Sequence, residues 1–294
     1  MPSIQSDILL IANARSGRGR AIELANQTHQ LLRQNKLESQ LLTVDQFEAQ
    51  ATLPTAHRVV IFGGDGTIRS IVSRYIASSP DQVPHILPVP VGTANLLGKH
   101  LRLHTRDDRI PALILSSLKA HHVREIDVGS VNSIPFLLMC SCGFDAEVVH
   151  KVSARRTGPI SKFSYVKPFF ESLRNFDAPT LTVEVDGKII FGPAKGFVMI
   201  ANAREYGAGF SLLPDARTDD RLLDVRTLKS PTRRRLVSGF VKSAVGLFEG
   251  PAVRGSVVRV HSDRPVPIQV DGDPAGFTPA DIRLVTQRLR LIVP

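Results

Sequence analysis

The sequence predicts an α/β domain followed by a mainly β domain, and three observations carry that expectation. Through about residue 125, short apolar runs alternate with helical stripes, the order that builds a parallel sheet covered on both faces. Beyond that point come closely spaced runs of alternating apolar and polar residues, some separated by Asp-Gly turns, which predict an antiparallel β-sandwich. The chain has 294 residues, near the length of roughly 250–300 residues at which one core stops growing and chains divide. The expected division is 1–126 and 127–294, with the final run 288–294 able to pack on either part.

Residues 7–12 (DILLIA) are continuously apolar, as in a strand buried on both faces, and lead into the turn Asn13-Ala-Arg-Ser-Gly-Arg-Gly. Ala21, Leu24, Ala25, Thr28, Leu31 and Leu32 then share one helical face. Strands follow at 39–44 and 58–62, then a helix striped by Ile68, Ile71, Val72, Tyr75 and Ile76, and a strand at 86–91. Ile110, Leu113, Ile114 and Leu118 mark a further helix, with Asp107 and Asp108 near its positive end. This order predicts a Rossmann-like sheet, whose ligands bind beyond the carboxyl ends of its strands. In the second part, strands are expected at 136–142, 181–185, 195–201, 223–228, 257–260, 267–270 and 282–285. Two helices interrupt them. One carries Phe163, Val166, Phe170 and Leu173; the other opens at Ser230-Pro231, a cap followed by Pro at the first helical position, and carries Leu236, Phe240, Ala244 and Leu247.

A chain that is 43% hydrophobic and 22% charged is neither disordered, collagen-like nor a coiled coil. No apolar run reaches the ~18–20 residues of a membrane-spanning helix. The first residues lack the basic region of a secretory leader. Cys140 and Cys142 lie two apart in an apolar run. Two thiols make a poor zinc site, so they are expected to be reduced core residues of a cytoplasmic protein. The net charge of +10 is spread evenly: 14 Lys and Arg against 10 Asp and Glu up to residue 126, and 23 against 17 after it. No basic strand interleaved with aromatics points to a specific nucleic-acid partner. The spread suits a polyphosphate ligand and a transient anionic membrane surface. Arg155, Arg156, Lys162, Lys167, Arg233, Arg234 and Arg235 form either a solvated surface or a face toward such a membrane.

The sharpest feature is Gly63-Gly64-Asp65-Gly66-Thr67, placed between a predicted strand and a predicted helix. Its glycines let the backbone approach a bulky anion, and the helix start offers N–H groups to phosphate oxygens. Asp65 repels phosphate, and holding a magnesium ion would offset that repulsion. Gly92-Thr93-Ala94-Asn95 also follows a strand and opens a helix, and the Asn13 to Gly19 turn makes a third small-residue loop. Three such loops at three strand ends would form one phosphate cradle. Asp271-Gly272, taken alone, reads as a hairpin turn.

GGDGT, with NxxSGxG upstream and GTxN downstream, resembles the diacylglycerol kinase catalytic-domain family of bacterial soluble lipid kinases and sphingosine kinases. The likeness continues through Asp127-Val-Gly, Ser141-Cys-Gly-Phe-Asp-Ala, Ala201-Asn-Ala-Arg-Glu-Tyr-Gly-Ala-Gly-Phe, Leu213-Pro-Asp-Ala, Asp219-Asp220-Arg221-Leu222-Leu223-Asp224 and Val270-Asp-Gly-Asp-Pro. GGDGT is shared with NAD kinases, so the segments beyond residue 127 discriminate. The resemblance implies ATP- and magnesium-dependent transfer of the γ-phosphate to a lipid hydroxyl, diacylglycerol- or sphingoid-like, by a cytoplasmic enzyme that works at the membrane periphery. Residues 1–126 would bind nucleotide and 127–294 the lipid. ATP contacts would fall on Asn13, Ser16, Thr43, Gly63, Gly64, Asp65, Gly66, Thr67, Gly92, Thr93 and Asn95. Asp65 and Asp127 would join a magnesium–water network, and a second, structural magnesium would use Asp220 with the carbonyls of Arg217 and Leu222. The catalytic carboxylates would be Asp65 and a general base from the Asp271-Gly272-Asp273 turn, with either Asp as the base. Two positions depart from the family pattern. Leu96 follows Asn95 where many members have Asp, and Arg221 replaces Gly after Asp220. The rivals are a kinase with a soluble acceptor such as NAD and a catalytically weakened nucleotide- or lipid-binding regulator. A homodimer is left open.

Overall fold

A computed structural model of the chain describes residues 7–78, 82–101, 103, 107–155, 162–175, 177–205, 213–229, 232–234, 237–238 and 252–294. In order, the elements of the first part are β1 (Ile8–Ala12), α1 (Arg20–Gln34), β2 (Ser39–Thr43), α2 (Val44–Glu48), β3 (Arg58–Gly63), α3 (Asp65–Ser78), β4 (His85–Pro90), α4 (Leu96–His100), α5 (Ile110–Ala120) and β5 (His122–Ile126). The second part contains β6 (Gly129–Val131), β7 (Ile134–Phe136), β8 (Met139–Cys142), α6 (Phe144–Ala154), α7 (Val166–Asn175), β9 (Thr180–Val185) and β10 (Lys188–Ala201). It continues with β11 (Leu223–Lys229), β12 (Val253–Gly255), β13 (Val257–Ser262), β14 (Pro267–Val270), β15 (Asp273–Phe277) and β16 (Ala280–Leu284), and β17 (Leu289–Val293) closes the chain. Two compact units result. One holds the described residues up to Ile126 together with Gln287–Pro294; the other is Asp127–Thr286.

The first unit is a six-stranded sheet in the order β2-β1-β3-β4-β17-β5. Its neighbours are parallel except β5, which runs antiparallel to β17. All five residues of β1 are buried, because helices cover both faces of a parallel sheet. Leu10, Val60, Phe62 and Leu87 meet Leu24 and Leu32 of α1 and Ile114 and Leu118 of α5 in one core. From β1 the chain goes outward to β2, then returns to β3 on the other side of β1. This reversal opens a crevice at the carboxyl ends of β1 and β3. The loops after β1, β3 and β4 therefore start side by side.

The second unit is an antiparallel sheet in the order β15-β14-β8-β10-β9-β13-β16-β6-β7, with β11 and β12 branching from β10. β10 pairs with β9 along its first half and with β8 and β11 along its second. The two halves share a core in which Val183, Val258 and Ile282 pack with Cys140, Val198 and Ile268. On the other face of β8 and β10, Met139, Phe197 and Met199 pack under Phe144, Val148 and Val152 of α6.

One expectation changes. Of the expected stripe, Val166 and Phe170 are not on a buried face: they are 50% and 61% exposed. α7 instead turns Phe169 and Leu173 inward, with Phe169 edge-on to Phe144 at 5.4 Å. α6, which occupies the Gly-Phe-Asp-Ala segment, has Gly143 ahead of it in a conformation (φ 119) that only glycine takes easily. The helix expected to open at Ser230-Pro231, with Leu236, Phe240, Ala244 and Leu247, lies outside the described residues, as do Arg156, Arg235 and 206–210.

Cys140 and Cys142 are free, fully buried and on one face of β8, and burial pushes both thiols far above the ordinary range. Neither is expected to react with a thiol reagent such as DTNB until the chain is unfolded in guanidinium. Rapid labelling of the native protein would contradict this packing.

Candidate active site

Three loops of the first unit are tied to one another by short contacts. Asn13 donates its backbone N–H to the Phe62 carbonyl at 3.0 Å and its side-chain amide to the Thr67 hydroxyl at 2.7 Å. Val91 N–H donates to the Gly63 carbonyl at 3.0 Å. Gly17 (φ 60) lies against Val91: an added Cβ would come within 2.7 Å of its side chain. A Cβ on Gly92 would come within 2.5 Å of the Gly64 Cα, so these two loops touch backbone to backbone.

Asp65 begins α3 and closes the arrangement. Its carboxylate accepts from Leu96 N–H at 2.9 Å and Leu97 N–H at 3.0 Å, which holds the start of α4. Burial pushes the Asp65 carboxyl above its ordinary range, while those two bonds and the charge of Lys99 pull it partly back. Asn95, in the left-handed region at φ 50, donates to the Pro90 and Gly92 carbonyls. Its Oδ1 is buried with no partner. An acceptor left open in a cradle lined by bare glycine backbone fits a ligand that brings a donor.

Asn13, Gly63 to Thr67, Gly92, Thr93 and Asn95 are thus assembled by one set of loops. Ser16 joins them in a 3-10 turn, its N–H on the Asn13 carbonyl. Thr43 lies beside Ala12 at the carboxyl end of β2. Its hydroxyl accepts from Gln46 N–H in a capping box at the start of α2.

In the second unit, Asp271 (φ 48) and Gly272 (φ 87) form the turn between β14 and β15. The Asp271 carboxylate accepts three backbone N–H bonds, from Leu137, Leu138 and Met139, at 2.8–2.9 Å. Asp273, half-buried, is the first residue of β15. Behind the turn, Gln269 Oε1 accepts from Gly272 N–H at 2.9 Å, while its amide donates to Ser141 Oγ at 3.0 Å and Asp145 Oδ2 at 3.4 Å. Ser141 Oγ in turn donates to Asp145 Oδ1 at 2.6 Å. Gln269 was not singled out from the sequence. The available signal was a polar amide at a buried position of the apolar run Pro-Ile-Gln-Val.

Asp127 is fully buried. Its two oxygens accept from the backbone N–H of Arg221 at 2.7 Å and from the Arg221 guanidinium at 3.3 Å. Asp220 accepts from Leu222 N–H at 3.1 Å and from the Arg254 guanidinium. Arg217 pairs with Asp219 at 3.2 Å. Among the described residues, no group of three or more His, Cys, Asp or Glu side chains is arranged to hold a metal ion.

Comparison with known proteins covers nearly the whole chain. Residues 7–131 match the diacylglycerol kinase catalytic domain, and residues 139–293 match the YegS C-terminal NAD kinase beta sandwich-like domain. A curated diacylglycerol kinase of Staphylococcus carnosus is 28% identical over 242 residues, covering 80% of this chain and 76% of that protein. A crystal structure described as a diacylglycerol kinase from Bacillus anthracis shares the fold, with a TM-score of 0.72 at 20% identity over 98% of this chain and 97% of that one. An NAD kinase from Archaeoglobus fulgidus in complex with ATP is more distant, with a TM-score of 0.59 at 13% identity over 97% and 93% of the two chains.

Alanine at Gly92 cannot be accommodated without moving the Gly64 backbone. Gly92→Ala is expected to cost about 1–3 kcal/mol of stability, as overpacking generally does. Urea unfolding measures it, and an unchanged midpoint would show that the two loops are not in contact.

Proposed function

This chain belongs to the diacylglycerol kinase catalytic-domain family of lipid kinases, and we propose that it transfers the γ-phosphate of ATP to the hydroxyl of a diacylglycerol- or sphingoid-like lipid. The observation that carries this reading is the three-loop cradle, where Gly64 and Gly92 meet backbone to backbone and Asp65 lies beside them.

The polyphosphate would lie along Gly63 to Thr67 and Gly92 to Asn95, with Asn13 and Ser16 completing the site. Thr43, at the neighbouring strand end, is the proposed contact to the rest of the nucleotide. The residues fit one magnesium ion in the cradle. Asp65 would hold it with water, and the open Asn95 Oδ1 would accept from that water or from a ribose hydroxyl. A bound magnesium would neutralise charge on the transferring phosphoryl group. Asp65 would do this work ionised, a form that its burial opposes and a bound cation would favour. Asp127 leaves the metal set, since the Arg221 guanidinium already supplies it with a positive charge, whereas Asp65 accepts from neutral backbone N–H groups.

Of the two carboxylates in the turn, Asp273 is the proposed general base. Asp271 is engaged by three backbone donors and holds the 137–139 segment in place, which leaves little acceptor capacity for a substrate proton. Phosphoryl transfer is otherwise mainly positioning and charge stabilisation, so the base contributes about 10²–10⁴ in rate. Exposed Val166 and Phe170 on α7, with exposed Lys167 and Arg174 on the same helix, support transient docking on an anionic bilayer. Among the described residues no helix is long and apolar enough to cross a membrane. A cytoplasmic location is part of the same proposal, in keeping with the two free buried thiols.

The test is label transfer from [γ-32P]ATP with magnesium to dispersed diacylglycerols, sphingoid bases and, separately, NAD. Label is expected in the lipid phase. Label in NAD alone, or in neither, would overturn the proposal. Asp271 and Asp273 are expected to separate. Asp273→Asn should lower kcat by about 10²–10⁴ with little change in melting. Asp271→Ala should destabilise, by about 1–3 kcal/mol for each N–H left without an acceptor. Equal losses of stability in both variants would sink the assignment.

A further inference from the structure

We propose that the loop 217–222, which the family resemblance equips with a structural magnesium ion, is held in this chain by arginine side chains in place of the metal. The carboxylates available there are already paired. Asp127, with no exposed surface, receives both the backbone N–H and the guanidinium of Arg221, and that guanidinium also donates to the Val285 carbonyl at 3.2 Å. Asp220 has one oxygen on Leu222 N–H and the other on Arg254. Arg254 sits directly across from Asp224 in the β11–β12 pair and reaches its Oδ1 through Nε at 3.3 Å. Arg226, on the same strand as Asp224 and nearly buried, adds a third positive charge attracted by Asp215 and Asp224.

A magnesium ion asks for about six oxygen ligands in near-octahedral geometry. At Asp220 it would have to displace Arg254 and lie close to Arg221, so it would enter a cluster whose carboxylates Asp127, Asp220 and Asp224 each already have an arginine partner. Among the described residues, two buried acceptors without a partner remain nearby, Asp224 Oδ2 and the Oδ1 of Asn202, whose amide donates to the Asp127 carbonyl; together they supply two oxygens, well short of such a shell. The backbone shows the same exchange. Arg221 adopts the left-handed conformation at φ 62 that glycine takes at no steric cost. Its strain is offset by the two bonds that this conformation delivers to Asp127. Glycine there would keep the turn but lose the guanidinium.

Thermal unfolding of the full chain without nucleotide tests this, in EDTA, in millimolar magnesium chloride and in millimolar calcium chloride. The wild-type Tm is expected to be the same in all three. Arg254→Gln and Arg221→Gly should each lower Tm in EDTA by about 4 °C or more. The double variant should regain part of that loss on adding either cation, because freed carboxylates bind metal in the native state alone. A wild-type Tm that rises with magnesium or calcium, and no longer rises in Asp220→Asn, would overturn the proposal. So would arginine variants whose Tm equals that of wild type. If both arginine variants fail to fold, the wild-type comparison with Asp220→Asn still decides. None of these readouts depends on catalysis, so they stand apart from the lipid-kinase assignment.

Discussion

The approach of Gly64 to Gly92 is the constraint on which the first unit's site depends. Strand pairing brings the ends of β3 and β4 together, but the loops beyond them meet backbone to backbone only because no side chains stand between them. With no Cβ on either residue, the backbones touch, and Asp65 can reach the N–H groups of Leu96 and Leu97. The same contact leaves the amide of Asn95 turned back onto its own loop with one oxygen open. Sheet order, loop packing and an unsatisfied acceptor thus converge on one spot, each for its own physical reason.

Buried carboxylates recur as fasteners in both units, and their surroundings assign them different work. Asp271 takes three backbone N–H bonds, and Asp127 takes an N–H and a guanidinium. Both are compensated in the way a charge away from water requires. Asp65 has two backbone bonds, and burial outweighs them, so its carboxyl is pushed up. Of the three, Asp65 is the one whose ionised form gains most from an added cation. Under the proposed function that ordering would assign the metal to the first unit, while Asp127 and Asp271 hold loops of the second.

The motif loops were legible because their chemistry is local: glycines in a strand–turn–helix context and a polar cap at each end. The strand and helix patterns of the first part were legible for the same reason, since burial on both faces writes continuous apolar runs such as 7–12 and 3.6-residue stripes such as Ile68, Ile71, Val72 and Tyr75. The second part was harder to read. α7 shows why, because its aromatic residues fit two helical faces. Packing against Phe144 selected Phe169 and left Phe170 outside. Gln269 was invisible as a site residue, because its partners Ser141 and Asp145 lie more than 120 residues away.

By itself the sequence determined the two-part architecture, the family resemblance and the set of loops that form the cradle, since each is encoded within a few neighbouring residues. Only the tertiary structure decided which donors the lone acidic residues meet. Asp127 and Arg221 are 94 residues apart, and Asp271 lies 132–134 residues from the N–H groups it accepts. A carboxylate's role depends on the donors around it and on whether water reaches it. Those donors come from strands and loops that meet only on folding. An Asp-Gly turn therefore reads alike as hairpin or base, and an Arg in a glycine's place reads as a defect, until the partner of each is seen.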